Sequence, residues 1–344
     1  MTELNRSVPV GSSLAGRIVQ LGPPLLRVRY RFGVYVTLGG YPDWEPYAAA
    51  IVGLGPVPSG RTVDEIRVLD VLAANRALAR ATAQGAASGA GRTPAGWVWA
   101  HVGTARQLAL VPAELHAAFR HRGGVSGLRP ATPDPRGLRI EAPGRPVRFR
   151  AVRTVAEEAL VRFENWLGSP LPESYRGHLR ATNGGLPTEP AVLPTAGFVA
   201  DQPLFGLAAE DRAHDLGYVN TVLHDRFTPD LLAIGHVQGG LLALKVGGAD
   251  RGSVWYWDDD DPRDDERYEA PVICRDLLVR CADDFDAFLG ALTVVPPSLL
   301  DLVDESAELV VPEGMGSALP RSRRPAWLDA LTSAAPGERR AAPS

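Results

Sequence analysis

Residues 231–261 read LLAIGHVQGGLLALKVGGADRGSVWYWDDDD. Three apolar runs, 231–234, 241–246 and 254–257, are too short for helices and are separated by Gly239-Gly240 and Gly247-Gly248, the residues of tight turns. The spacing predicts a series of short strands. The last one carries Trp255 and Tyr256 and runs directly into Asp258, Asp259, Asp260 and Asp261, with Asp264, Asp265 and Glu266 close behind. So dense a set of carboxylates reads either as a solvated loop or as a partner-binding surface, where a basic protein meets concentrated charge beside the two aromatic rings. A calcium loop fits poorly, because the run lacks the glycine and terminal glutamate spacing of such sites.

Working outward, Val155, Leu160, Phe163, Trp166 and Leu167 fit one face of a helix over 152–166. A second helix starts at Leu171-Pro172-Glu173-Ser174-Tyr175, carries Leu179 and stops at Asn183-Gly184-Gly185. Phe285, Phe288, Leu289 and Leu292 mark a closing helix over 283–292. Helices and short strands together predict an α+β domain over 150–295. Pro296-Pro297 then opens a tail, 296–344, with room for short helices, that reads as largely disordered and ends in the disordered-looking Ala335-Pro336-Gly337-Glu338-Arg339-Arg340.

The N-terminal half reads differently. Apolar and basic residues alternate over 26–32, the pattern of a half-exposed strand with arginines on its wet face. From Val63, apolar Ile66, Leu69, Leu72 and Ala73 recur at helical steps, predicting a helix to about Arg80, and the small, glycine-rich residues 84–94 follow as a flexible turn. Residues 128–149, rich in Pro and Arg, read as a semi-rigid linker that closes a basic domain over 1–127.

The chain has 344 residues, 45% apolar and 22% charged, which fits two globular domains and excludes fibrous and wholly disordered proteins. No apolar run reaches the ~18–20 residues of a membrane span, and Met1-Thr2-Glu3-Leu4-Asn5-Arg6 lacks the pattern of a secretory signal, so the expectation is a soluble, cytoplasmic protein with no membrane partner. Two cysteines, Cys274 and Cys281, exclude a disulfide framework and a thiolate metal site. Charge is divided unevenly. Residues 1–150 hold 19 arginines against 9 acidic residues, a net +10, and residues 151–344 hold 17 basic against 31 acidic residues, a net −14. A basic half suits phosphate, including nucleic acid, and an acidic half suits a basic surface.

Three of the seven histidines, His101, His116 and His121, fall within 21 positions of the basic half. Imidazoles can ligate a divalent metal or take a proton from water, and phosphodiester hydrolysis uses both. His116 and His121 are too far apart to share one helix face, but they converge if the helix carrying His116 ends near His121, where Gly123 permits a left-handed cap. Ordinary core or surface histidines remain the simpler alternative. Arg120 and Arg122 lie beside them as phosphate-binding candidates.

The words Gly40-Tyr41-Pro42-Asp43-Trp44, Asp70-Val71-Leu72-Ala73-Ala74-Asn75, Thr93-Pro94-Ala95-Gly96-Trp97-Val98-Trp99-Ala100-His101 and Leu110-Val111-Pro112 through Gly124 resemble WHH-type toxin nucleases of the HNH superfamily over roughly residues 30–126. The resemblance implies a ββα-metal fold, His101 as the catalytic base and His116 and His121 as metal ligands. It also implies a departure: where the family has a further ligand histidine, this chain has Ala100, so any divalent metal is held weakly. Asp43 and Glu45 stand as substitute ligands. The acidic half, through Leu171–Tyr175, Asn183-Gly184-Gly185, Leu232-Ala233-Ile234-Gly235, Val254–Asp258 and the closing helix, resembles the SUKH superfamily of Smi/Knr-type proteins, many of which bind and neutralise nuclease toxins. The two resemblances imply a bacterial toxin–immunity-type protein. Its SUKH domain would mask a nuclease domain, in cis or in trans, beside a catalytically degenerate HNH-like domain. The alternative is a working metal-dependent HNH endonuclease restrained by its fused SUKH domain.

Overall fold

The computed structural model describes residues 14–82, 91–103, 105–121, 124–125, 136–140, 144–261, 263–264 and 268–333. A ribbon of β1 (Ile18–Val19) and β2 (Val34–Tyr35) brackets the helix α1 (Pro24–Arg29). The strand expected over 26–32 is therefore a helix for most of its length. Alternating letters that satisfy a period of two here also satisfy i, i+4: Leu26 and Tyr30 are buried, while Val28 and Phe32 face outward. Pro24 decides between the two readings. Its fixed φ suits a first helical turn, and it lacks the N–H that a ladder would use.

Next come β3 (Ala50–Gly53), α2 (Val63–Ala81), β4 (Trp97–His101), β5 (Gln107–Pro112) and α3 (Ala113–Ala118). β4 and β5 form an antiparallel hairpin, with Trp97 opposite Pro112 and His101 opposite Leu108, and α3 leaves β5 without a break. This is a ββα unit. The α2 helix begins as expected at Val63, capped reciprocally by Thr62 and Glu65. Its interior is unusual. Asp64, Glu65, Arg67, Asp70 and Asn75 are buried together with the apolar residues, so the helix has no wet face along most of its length.

The second half opens with β6 (Phe149–Arg150), α4 (Glu157–Leu167) and α5 (Glu173–Thr182), followed by β7 (Leu186–Pro187), which pairs with β6. β8 (Ala191–Leu193), β9 (Phe198–Ala200) and α6 (Leu216–Val222) lead into the meander predicted from residues 231–261. That meander is β10 (Leu231–Val237), β11 (Gly240–Lys245) and β12 (Val254–Asp258), extended beyond α7 (Ala270–Asp276) by β13 (Leu278–Ala282) into a sheet of order β10-β11-β12-β13. α8 (Phe285–Ala291) closes the domain, and β14 (Thr293–Val294) pairs with β8. Every residue of β10 is buried, because α6 and the β9 region cover what would otherwise be an open edge. The architecture is α+β, in two domains.

The tail is more ordered than expected over 297–333, where a paired strand joins the short helices that the sequence left room for. α9 (Pro297–Leu300) packs beside α2, β15 (Glu308–Val310) pairs with β3, and α10 (Ala326–Ser333) follows. The basic domain's sheet is thus completed from the far end of the chain, in the order β15-β3-β5-β4. Leu299, Val303, Met315, Leu319 and Leu328 are buried in the same core as β3 and β5, at roughly 1.5–3 kcal/mol per side chain. Residues 136–140 do not form a free spacer either. Gly137 N donates to Asp64, Arg139 N to Glu65 and Leu138 N to Pro194 O, which straps α2 to the second half. The rest of the expected turn at 84–90, much of the 128–149 stretch and residues 334–344 lie outside the described residues.

The β10–β11 turn meets α2 closely. Gly239 has φ +93°, and a Cβ there would sit 2.8 Å from Cδ of Arg67. Gly239→Ala is expected to destabilise the protein by about 1–3 kcal/mol. Gly177→Ala, inside α5 with open space around it, should stabilise by about 0.5–1 kcal/mol. Urea unfolding of both variants checks the pair, and equal effects would refute the assignment of strain to Gly239.

Candidate functional site

His101 stands at the end of β4. Its Nε2–H donates to Asp70 Oδ2 at 3.0 Å, and Arg106 donates to both Asp70 oxygens at 2.7 and 2.8 Å. Burial resists ionisation of Asp70, but the hydrogen bonds from His101 and Arg106 outweigh it and hold the carboxyl below its ordinary range. In the neutral ring this pairing leaves Nδ1 with the lone pair, the arrangement that orients an imidazole for proton transfer.

His116 lies on α3, and His121 lies three residues beyond that helix. Their rings meet edge to face at 4.8 Å between centroids, both against the buried indole of Trp44. His121 Nδ1–H donates to the Phe119 carbonyl at 2.7 Å, so its Nε2 carries the lone pair. The ring is enclosed by Trp44, Phe119 and His116 although part of the residue reaches the surface. That burial, reinforced by His116, lowers its pKa to about 4 and keeps it neutral at physiological pH.

The acidic loop points inward to this region. Asp258, Asp259, Asp260 and Asp261 are all 6% exposed or less, and Asp264 is buried with them. Asp259 Oδ2 is 3.1 Å from Nδ1 of His116. Asp258 accepts from Arg67 at 2.9 Å and pairs with Arg136, which also bonds Asp261 at 3.1 Å. Asp260 lies 3.4 Å from Arg67, and Arg120 binds Asp264 and the Tyr268 carbonyl. Burial pushes Asp260 up to about 6, while Arg67 and His101 pull the other way. The loop therefore reaches both histidine sites, with Asp259 on His116 and Asp260 within electrostatic range of His101.

These contacts correct the expected partner-binding surface. Tyr256 and the four aspartates are buried, and Tyr256 donates to the Gly239 carbonyl. Trp255 alone is half-exposed, its Nε1–H held by Ser253. The basic surface they answer is the N-terminal half of the same chain. Arg120 is likewise committed to Asp264 instead of standing open for phosphate, and Arg122 lies outside the described residues.

A hydrolytic divalent-metal site uses three protein ligands and an open position. The histidines do not reach that number. Among the described residues, the only three potential donors within 4.8 Å of one another are Asp258, Asp259 and Asp260; guanidinium groups already pair with Asp258 and Asp260, and His116 with Asp259. Asp43 Oδ1 instead accepts from Glu45 N and caps a short turn. Ala100 is buried in the core, so an imidazole there would have to displace packed neighbours. The residues present do not fit a preformed metal centre.

Sequence reading missed Arg67 and Asp70 as site residues. Both are charges within the apolar run 66–72, on a helix with no polar stripe to hold them, and that conflict was the available signal. It also missed a hydrogen-bonded seam between the halves that closes on the buried Asp201. Asn75 accepts from Trp99 Nε1 at 2.8 Å and from Thr93 Oγ1 at 3.0 Å. Gln238 accepts from Trp99 N at 3.0 Å and donates to Asp201 at 2.9 Å.

With this geometry in place, comparison with known families assigns the two segments. Residues 154–291 match the SMI1 / KNR4 family (SUKH-1). Residues 89–131 match a nuclease family of the HNH/ENDO VII superfamily with conserved WHH. The second match is narrower than the 30–126 expected from the sequence, since it begins after α2, but it contains β4, β5, α3 and all three histidines. No curated protein matches the chain. The two matches in one chain support a toxin–immunity-type protein. No helix among the described residues is long and apolar enough to cross a membrane.

Two outcomes follow from the geometry. Arg67→Met leaves Asp260 buried without a guanidinium and Asp258 with Arg136 alone, and is expected to cost about 3–5 kcal/mol in urea unfolding. For His121, a pKa near 4 in the folded chain against an ordinary 6.5 means that the unfolded chain takes up the proton first. Its contribution is present above pH 6.5 and declines as pH falls toward 4. The stability of His121→Phe relative to the natural protein should therefore rise between pH 7 and pH 5, by up to about 1.4 kcal/mol per pH unit. A constant difference would show that the ring is not held neutral.

Proposed function

We propose that the SUKH-like half masks the WHH nuclease-like half in cis, with the loop at 258–264 acting as an anionic plug in a basic cleft. The observation that carries this reading is the burial of five carboxylates against Arg67, Arg136, Arg120 and His116. In that position they stand where the phosphates of a nucleic acid would meet the same groups. Electrostatics alone does not hold the plug. The Asn75–Trp99–Gln238–Asp201 seam and the strap at 136–140 join the halves on either side, so uncovering the cleft requires breaking these hydrogen bonds as well.

The nuclease-like half is catalytically degenerate in this reading, which the shortage of metal donors around His116 and His121 supports. The Asp70–His101–Arg106 arrangement favours a second reading, a nuclease that retains its base, binds a divalent metal only when unmasked, and is restrained by its own SUKH-like half. In neither reading are the plug residues available to a toxin in trans while the halves are joined. A trans partner would use another face of the SUKH-like half.

The test uses the full chain, because the basic domain borrows β15 from beyond residue 296. Asp259→Asn with Asp264→Asn keeps the Arg67–Asp258 pair and removes two negative charges from the plug. Affinity for a labelled oligonucleotide is expected to rise about tenfold or more, with a strong salt dependence. Unchanged binding by a folded variant refutes the plug. Incubating the variant with plasmid and Mg, Mn, Zn or Ni then separates the two readings: a degenerate site leaves the plasmid intact, whereas a restrained nuclease cuts it and loses that activity in His101→Ala.

A further inference from the structure

The segment from β1 to the residue after β2's turn carries a surface that neither the plug nor the two family matches use. Ile18, Leu25, Val28, Phe32, Tyr35 and Leu38 are all exposed, with Leu38 at 85%, Val28 at 79% and Ile18 at 65%. Ile18 and Tyr35 share one side of the ribbon, and the others protrude from the same segment. Ile18 lies directly opposite Tyr35 in the β1–β2 pairing and beside Gly33, while Leu38 reaches Gly16 at the end of the ribbon. On α1, Leu25 and Val28 are three apart on the side away from buried Leu26 and Tyr30.

The charges on the same segment have one sign. Residues 4–42 contain no Asp or Glu, and Arg17, Arg27 and Arg31 are exposed around the apolar tips. Arg27 is braced by the carbonyls of Leu21 and Gly22, and the Arg31 guanidinium lies 4.9 Å from the Phe32 ring centroid. Protruding apolar side chains ringed by arginines fit an anionic lipid surface, where the tips enter the acyl boundary and the guanidiniums stay among headgroup phosphates. Other occupants fit less well. A second copy docking through the same face would set these arginines against one another. Nucleic acid would satisfy the arginines but leave Leu25, Val28 and Leu38 in water, since phosphates offer aliphatic tips nothing.

We propose that this face, centred on Val28, Phe32 and Leu38, docks the protein peripherally onto a bilayer containing anionic lipid. It inserts side chains without spanning the membrane, and it does not depend on the plug.

Flotation of the full chain with phosphatidylcholine vesicles containing about a third phosphatidylglycerol, at about 0.15 M salt, tests it against pure phosphatidylcholine. The chain should float with the anionic vesicles alone. Val28→Asp and Leu38→Asp should each reduce the bound fraction about tenfold, and Arg17→Glu with Arg31→Glu should do so independently. Trp166→Asp, which changes an exposed aromatic in the other half, should bind as the natural protein does. These side chains are largely in water, so the thermal midpoint of each variant should stay unchanged. Absence of flotation with anionic vesicles overturns the proposal. So does flotation that survives both apolar substitutions, which would mark binding as charge attraction alone.

Discussion

A guanidinium buried in the middle of a helix has to meet carboxylates, because the cost of desolvating it alone is several kcal/mol. Arg67 is that group. Its Nη2 donates to Asp258 at 2.9 Å, its Nη1 to the Tyr256 hydroxyl at 3.1 Å, and Asp260 lies at 3.4 Å. All three partners come from the end of β12 and the loop after it, so one side chain on α2 sets where the meander of the second half must sit. The turn at Gly239-Gly240 is pressed against the same arginine, and there only glycine leaves room.

Once that contact is made, the rest of the interface has little freedom. Arg136 and Arg120 complete the neutralisation of a loop whose carboxylates would otherwise repel one another, and His116 takes Asp259. The seam around Asn75, Gln238 and Asp201 contributes differently, by directional hydrogen bonds that fix register more than they add attraction. Together they hold the His101 and His116 neighbourhoods beneath the acidic loop. The contact between the two halves is thus a property of the folded core, and not of a docking event between independent domains.

The contribution of the tail reinforces this. With β15 paired to β3 and Leu328 buried in the N-terminal core, the chain passes from the basic domain to the acidic one and back again. Composition hid this return, because Pro296-Pro297 and the charged residues after it carry the letters of a disordered end. Their apolar residues fall in short clusters, 299–303, 309–311 and 326–331, with no sustained period, and they become buried only because an unfilled edge of another sheet is waiting.

What could be read without coordinates was local. The α2 helix, the meander over 231–261, the helices around Phe163, Tyr175 and Phe288, the opposite charge of the two halves and the histidine cluster all follow from spacing and composition within short windows. Over 26–32 the same reading failed, because a short alternating run fits two periods and a single proline chose between them. The tertiary structure alone decided that Asp258–Asp261 face inward, that Arg120 serves Asp264, and that Asp70 holds His101. Those partners are as much as 191 positions apart. Whether a charge stands in water or in a salt bridge depends on which distant element is brought beside it, and local pattern carries no information about that placement.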